Sequence, residues 1–259
     1  VRAVAKLAKK QRRAEARLFL VEGPQATREA LAFRPELVQD IFITPAAREK
    51  NADLMDMAQQ VGCDVTVVSE AVIESMADTV TPQGVVAVAR YLEVSLESIL
   101  ATHPSHLVVL HEVKDPGNVG NIIRTADAAG VDAVIVTAQS VDVFNPKVVR
   151  ASTGSLFHIP LVTGVELPVV VAALKKSGLT LYAADAGGEN LSHLRESGAL
   201  AAPLGWILGN EAHGLAPEDE ALADAIVSVP LFGNAESLSL QTAAAVCIYE
   251  AAFVKNSSP

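Results

Sequence analysis

The sequence predicts an α/β protein assembled from two blocks. From residue 18 onward, short β-branched and apolar runs alternate with helix-length stretches, the pattern of helices wrapped on largely parallel strands. The alternation lapses between 92 and 105, where Ser95, Glu97, Ser98, His103, Pro104 and Ser105 follow no sustained period. At 259 residues and 27.1 kDa, the chain is long enough for each block to bury its own core.

The elements follow in order. The first block reads as a strand at 18–21, a helix at Pro24–Phe33, a strand at Val38–Ile43, a helix at 46–61, a strand at 65–68, a short helix at Glu70–Met76 and a strand at Val85–Arg90. The second opens with a strand at 107–110 and continues with strands at 133–136, 179–184, 205–208 and 226–229, separated by helix-sized segments. It closes with a helix at 238–254 whose small and apolar residues, Ala243, Ala245, Cys247 and Ile248 among them, occupy nearly every face. One-sided burial cannot satisfy such a helix, so burial on several sides is expected, a second subunit supplying one of them. A polar tail, 256–259, follows. The expected division is 1–91 for an N-terminal domain, 92–105 for a linker and 106–259 for the second domain.

Composition sets outer limits. Cys63 and Cys247 lie far apart with no CxxC spacing, so neither a disulfide framework nor a zinc site is expected. No window approaches the roughly 18 apolar residues of a membrane span, and the basic start lacks the apolar stretch of a signal peptide. These readings lead to the expectation of a soluble, cytoplasmic protein without a metal.

The formal charge is −10, which by itself argues against a nucleic-acid partner. Its distribution argues otherwise. Residues 1–17 carry Arg2, Lys6, Lys9, Lys10, Arg12, Arg13 and Arg17 against Glu15 alone, a net +6 that leaves −16 on the other 242 residues. Two readings stay open for this arm: a solvated helix, or a contact for RNA phosphates.

Three loops of the second block follow strands, and in open α/β sheets ligands sit at the carboxyl ends of strands. Neither GxGxxG nor GxxxxGK[ST] occurs. After the 107–110 strand comes HEVKDPGNVGNIIRTADAAG, where Pro116 and Gly117 make a turn, Asn118 and Gly120 leave the backbone open, and a helix is expected from about Asn121. Ile122, Ile123, Ala126 and Ala129 form its apolar face, with Arg124 off that stripe. The second loop, Leu208-Gly209-Asn210-Glu211-Ala212-His213-Gly214-Leu215, has the small residues that let backbone approach a flat ligand; His213 has no catalytic partner in sequence. The third runs from Val229 to Leu240 as VPLFGNAESLSL, with Ser237 expected to cap the closing helix.

Together DPGNVGNIIRTADAAG, LGNEAHGL and VPLFGNAESLSLQTAAA resemble the three ordered motifs of the SpoU branch of the SPOUT RNA 2′-O-methyltransferases, over roughly residues 105–254. RASTGSLFHIP from Arg150 is similar to the family's segment before its next strand. The first block resembles the L30e-like RNA-recognition domain often found ahead of it, with FLVEG at 19–23 as the entry. The resemblance implies a deep trefoil knot in the second domain, S-adenosylmethionine as methyl donor, and a homodimer whose site draws on both chains.

Carried over by position, Asn118 and Arg124 match catalytic positions. Leu208, Gly209, Asn210, Glu211 and Gly214 match the cofactor loop, and Val229, Leu231, Ser237 and Leu238 the rest of the donor site. Ser239 departs from the family's usual Asn; it keeps a hydroxyl but loses the amide. Arg124 is expected to clamp the target phosphate and lie against the 2′-oxygen. A guanidinium is a poor base because it holds its proton tightly; Glu112 is the other candidate, with a structural role equally open to it. RNA recognition falls to Arg12, Arg13, Arg17, Glu22 and Arg150, the RNA being ribosomal before transfer RNA. Two alternatives remain: an RNA-binding protein that has lost catalysis, and a small-molecule α/β enzyme, against which the missing phosphate-loop patterns count.

Overall fold

The structure, a computed structural model, describes residues 1–257; the last two residues of the expected polar tail lie outside the described residues. Two compact units emerge: one holds 1–92 together with 142–158, the other 93–141 together with 159 onward. The units are therefore not the two continuous stretches that the linear division of the sequence drew.

The first unit begins with helices α1 (Arg2–Ala5) and α2 (Lys10–Ala16), then β1 (Leu18–Glu22), α3 (Pro24–Phe33), β2 (Val38–Ile43), α4 (Pro45–Lys50), α5 (Ala52–Gln60), β3 (Asp64–Val67), α6 (Glu70–Met76) and β4 (Val85–Arg90). The sheet order is β1-β4-β2-β3. Here β4 runs antiparallel to both neighbours and only β2 and β3 are parallel, so the largely parallel expectation fails for this block. Alternation in a sequence reports a strand's faces and not its direction. The single helix expected at 46–61 is two, because Asn51 leaves helical geometry at φ −128° and ψ 53°. Its Nδ2 donates to Ala47 O at 2.7 Å, a local bond that competes with the helix ladder.

The arm is part of this unit's core. Leu7 packs with Leu20, Ile73, Met76, Val86 and Val88. The segment 142–158 joins them, with Phe144 and Phe157 at 4.9 and 6.1 Å from the Phe19 ring and Tyr91 at 3.8 Å from Phe144. Offset rings at such separations gain quadrupolar attraction beyond the area they bury.

The second unit contains α7 (Leu96–Leu100), β5 (His106–Leu110), α8 (Pro116–Ala128) and β6 (Ala133–Thr137); after α9 (Pro146–Ser152), which belongs to the first unit, come β7 (Leu161–Val165), α10 (Leu167–Lys176), β8 (Thr180–Asn190), α11 (Leu191–Glu196), β9 (Leu204–Leu208), α12 (Pro217–Glu220), β10 (Ala225–Ser228) and α13 (Leu240–Asn256). Its six strands lie in the order β10-β8-β9-β5-β6-β7, all parallel. Strand β7 is an addition to the five read from the sequence. Every residue of β5, β6 and β9 is buried, as a sheet covered on both faces requires.

On one face α7 and α10 pack Leu96, Ile99, Val170 and Leu174 against Leu107, Val109, Ile135 and Ile207. The alternate residues point the other way: Trp206 is fully buried, its ring 5.5 Å from Tyr182, and α8 and α13 lie beside this half of the unit. Because the strands are parallel, the loops after β5, β8, β9 and β10 all emerge at one end of the sheet. The connections diverge between β9 and β5, which is where such a sheet opens a crevice.

Candidate functional site

The crevice is built around the turn that follows β5. Glu112 adopts φ +55°, a left-handed backbone uncommon outside glycine, and bends the chain just beyond the strand. His111, directly before it, is buried and anchored at both nitrogens, Nδ1 at 3.1 Å from Thr137 Oγ1 and Nε2 at 3.2 Å from Asp219 Oδ2. Helix α8 starts five residues earlier than expected. Asp115 is its N-cap, accepting from Asn118 N at 2.9 Å, and Pro116 stands at the first helical position, where its missing N–H costs nothing. Asn118 and Gly120 are thus in the first helical turns and not on open backbone.

The loop after β9 closes on itself. Asn210 N donates to Gly214 O at 2.9 Å and Gly214 N donates to Asn210 O at 3.0 Å. A Cβ on Gly209 would lie 2.6 Å from the Gly214 carbonyl group, so the closure requires glycine there. Asn210 Nδ2 donates to Glu112 O at 2.9 Å, while its Oδ1 accepts from Ala212 N at 2.8 Å. This one amide ties the loop both to itself and to the end of β5.

Glu211 makes the second tie. Its carboxylate accepts from Asp115 N at 2.8 Å, Lys114 N at 3.2 Å and Asn118 Nδ2 at 3.2 Å. Burial alone would raise its pKa, but the hydrogen bonds from Asp115, from its own backbone, from Lys114 and from Asn118 outweigh that and hold the carboxyl below the ordinary glutamate value. Of the residues read from the sequence, the structure therefore assembles Asn118, Glu112, Gly209, Asn210, Glu211 and Gly214 in one place.

The third loop supplies an apolar lip. Val229 and Leu238 are half-buried, Leu231 is 41% exposed, and Phe232 is 94% exposed, an unusual setting for a phenyl ring. Helix α13 begins at Leu240 and not 238, and its N-cap is Ser239 rather than Ser237. Ser239 takes the N-cap position, where the family's usual Asn would stand, without a side-chain hydrogen bond to the first-turn N–H groups. The Ser239 hydroxyl pairs with Thr242 Oγ1 at 2.8 Å.

Arg124 lies elsewhere on α8. Six residues separate it from Asn118, about 240° around the helix and about 9 Å along it. It is exposed and, with Asn121, Ala128, Gln241, Ala245 and Tyr249, lines an open groove of about 530 Å³ between α8 and α13. Sequence reasoning also missed Asp185, midway along β8 and just past that strand's pairing with β9: its Oδ2 stands where a Cβ on Gly214 would be, so it presses on the β9 loop. A carboxylate directly after the strand expected at 179–184 was its only signal. His213 is exposed.

Two arginines assigned to RNA are engaged within the first unit. Arg13 is 2% exposed; Nε and Nη2 donate to Asp142 Oδ2 at 3.0 and 2.6 Å, and Nη1 to the Leu7 and Ala8 carbonyls. No phosphate reaches it. Arg150 pairs with Glu22 at 3.2 Å and Asp78 at 3.0 Å, and Glu22 is itself buried, so neither Arg150 nor Glu22 offers free charge. Arg12 is exposed and paired with Glu15, and Arg17 is exposed with its guanidinium 4.5 Å from the Tyr91 ring. Among the described residues no helix is long and apolar enough to cross a membrane, and no group of three His, Cys, Asp or Glu side chains is arranged to hold a metal ion.

Residues 105–249 match the model of the SpoU rRNA methylase family, and residues 1–87 match that of an MRM3-like substrate binding domain. The 23S rRNA guanosine 2′-O-methyltransferase RlmP of Bacillus subtilis is 36% identical over 94% of this chain and 92% of its own length. RlmB of Bordetella pertussis, a 23S rRNA guanosine 2′-O-methyltransferase, is 31% identical over 89% of this chain and 95% of its own. Among solved structures, the SpoU methyltransferase AviRb of Streptomyces viridochromogenes in complex with S-adenosylmethionine aligns with a TM-score of 0.84 at 27% identity, covering 100% of this chain and 98% of that one. An S-adenosylmethionine-bound rRNA methyltransferase of Sinorhizobium meliloti aligns at 0.82 and 28%, covering 96% and 92%.

Proposed function

We propose that this chain, which belongs to the SpoU rRNA methylase family, transfers a methyl group from S-adenosylmethionine to a ribose 2′-hydroxyl of ribosomal RNA. The observation that carries the reading is the closure of the β5 and β9 loops on one another through Asn210 and Glu211, at the carboxyl end of a parallel sheet. The residues present fit the donor: Gly209 and Gly214 bring bare backbone to the crevice, and Val229, Leu231 and Leu238 offer apolar surface for a flat base. When bound, the donor supplies a methyl group on a cationic sulfur that leaves as a neutral thioether.

The chain's own residues have the tasks of orientation and proton removal. Glu211 and Asn118 fix the loop that carries Gly209. Arg124 clamps the RNA phosphate beside the target ribose, and Glu112, in the turn after β5, is the carboxylate that takes the proton. Arg124 faces the α8–α13 groove and not its own chain's β9 loop, which favours a homodimer in which each site takes its arginine from the second copy. In this reading the second unit is knotted as in the family, Arg12 and Arg17 contact RNA from the first unit, and the chain works in the cytoplasm, where its two free cysteines stay reduced.

Substituting Arg124 with alanine tests the central assignment, because donor binding and methyl transfer are measured separately. Calorimetric affinity for S-adenosylmethionine is expected to hold, while transfer of labelled methyl to ribosomal RNA drops at least about a hundredfold, the scale of losing a charged transition-state contact. Undiminished transfer by Arg124→Ala would remove the arginine from the mechanism.

A further inference from the structure

A cavity of about 260 Å³ opens in the first unit, between the start of α3, the 77–83 loop and α9. Its floor is ionic. The buried Glu22 carboxylate accepts from Asp78 N at 3.0 Å, Thr79 N at 3.1 Å and Arg150 Nη1 at 3.2 Å, and Arg150 Nη2 reaches Asp78 Oδ2 at 3.0 Å. One guanidinium thus faces two carboxylates. Of the groups that line the cavity, Glu22 and Arg150 offset one another, and Arg150 is held by Glu22 and by Asp78 behind it, so the lining has no uncommitted cation for a phosphate.

The rest of the cavity suits a flat ring. Ala26, Pro82 and Val86 give it apolar walls, while Gln83 stands at the rim with an amide that carries donors and an acceptor; Gln25, also at the rim, gives one of its amide hydrogens to Glu29 Oε1 at 2.7 Å. Gly23 (φ +91°) begins α3 with no side-chain cap, and a Cβ there would lie 3.1 Å from Gln83 Oε1. Pro24, the first residue of α3, has no N–H, and Thr27 N donates to Gly23 O at 3.3 Å, so the N–H groups of Gln25 and Ala26 are the ones left to meet a carbonyl oxygen. At the mouth, between Thr79 and Thr81, Val80 is 96% exposed, an apolar surface for a neighbouring base to cover.

We infer that this cavity receives one unstacked nucleobase of the RNA, with guanine the preferred occupant. Sequence-specific recognition of RNA works on splayed bases read along their edges. Guanine presents one carbonyl acceptor beside two N–H donors on a single edge: the carbonyl suits the α3 N-terminus, and the donors suit Gln83 and the remaining acceptor capacity of Glu22. Arg150 is then a positioning residue that holds Glu22 in the floor. The inference rests on the RNA-methylating function and adds to it a base-reading pocket in the unit that does not carry the donor loops.

The test uses the full chain with ¹³C-labelled alanine and valine methyl groups, titrated in turn with guanosine 5′-monophosphate, uridine 5′-monophosphate and ribose 5-phosphate. The guanine nucleotide is expected to move the Ala26 and Val86 signals, the uracil nucleotide to move them more weakly, and ribose 5-phosphate to leave them in place. Gln83 is exposed, so Gln83→Ala folds, and it is expected to weaken the guanine response about three- to tenfold, the worth of one hydrogen bond. Equal responses to all three ligands, no response to the guanine nucleotide, or an unchanged affinity in Gln83→Ala each overturn the inference. Failure of the chain to methylate ribosomal RNA is scored in a separate assay, and that result refutes the enzyme reading whatever the cavity binds.

Discussion

His106 opens β5 from inside the protein, 2% exposed, with Nε2 lacking a hydrogen-bond partner among the described residues. Burial lowers its pKa from 6.5 to about 4, helped by nearby Lys255 and opposed by Asp132. The unfolded chain therefore takes up the proton first as pH falls, and the folded state, which excludes it, loses stability between the two values. The contribution is fully present above the unfolded value near 6.5 and is lost as pH falls toward 4. Near pH 5 this residue alone makes the protein roughly 2 kcal/mol less stable than near pH 7. In His106→Leu that part of the pH dependence is expected to vanish, which urea melts at the two pH values measure; an unchanged slope would place the acid sensitivity elsewhere. Such a residue is invisible in a charge count, as is Arg13, whose guanidinium reads as one of seven arm cations yet lies buried on Asp142.

Among elements, the loops separate by how much space surrounds their glycines. Gly209 and Gly233 both lie in the loops proposed to hold the donor and look alike in the sequence. Gly209 has backbone within 2.6 Å of where a Cβ would stand, whereas nothing lies within 4 Å of that point on Gly233. Backbone cannot move aside as a side-chain tip can, so Gly209→Ala is expected to lower affinity for S-adenosylmethionine at least about tenfold, the effect of a forced shift of 1–3 kcal/mol. Gly233→Ala is expected to leave it unchanged, and calorimetry on the pair decides; equal losses would assign both glycines to flexibility rather than space. What the sequence revealed follows the same division. Strands β5, β6 and β9 were legible because buried parallel strands are continuous apolar runs. Strand β7 was missed because LVTGV is interrupted by Gly164, and the break at Asn51 because it depends on one side chain's bond to its own backbone. The three loops were legible from their place after strands and their small polar residues, and the resemblance gave them a role, but the ties between the β5 and β9 loops, through Glu211 and Asn210, depend on which strands the topology makes neighbours.

At the scale of the whole molecule, the closing helix α13 is half satisfied. Ala244, Cys247, Ile248 and Ala251 are buried against its own unit, while Phe253 is 62% exposed, its ring 5.6 Å from that of Tyr249. Beside this open face runs the groove of Ala128, Ala245 and Tyr249, with Arg124 on its wall and Asn121 joined to Gln241 at 2.6 Å. Small residues on two adjacent helices let a second pair approach closely, and a two-fold axis would set the groove against itself. The proposed dimer thus meets two needs at once: it covers the apolar face and brings Arg124 to the other copy's donor loops. Ala245→Arg adds bulk and charge in the groove without touching the β9 loop. The variant is expected to sediment as a monomer, to bind S-adenosylmethionine as the unaltered chain does, and to lose methyl transfer to ribosomal RNA. A monomer that still transfers at the full rate would show that one chain holds a complete site, and Arg124 would then need a path to its own donor loop that the helix geometry does not provide.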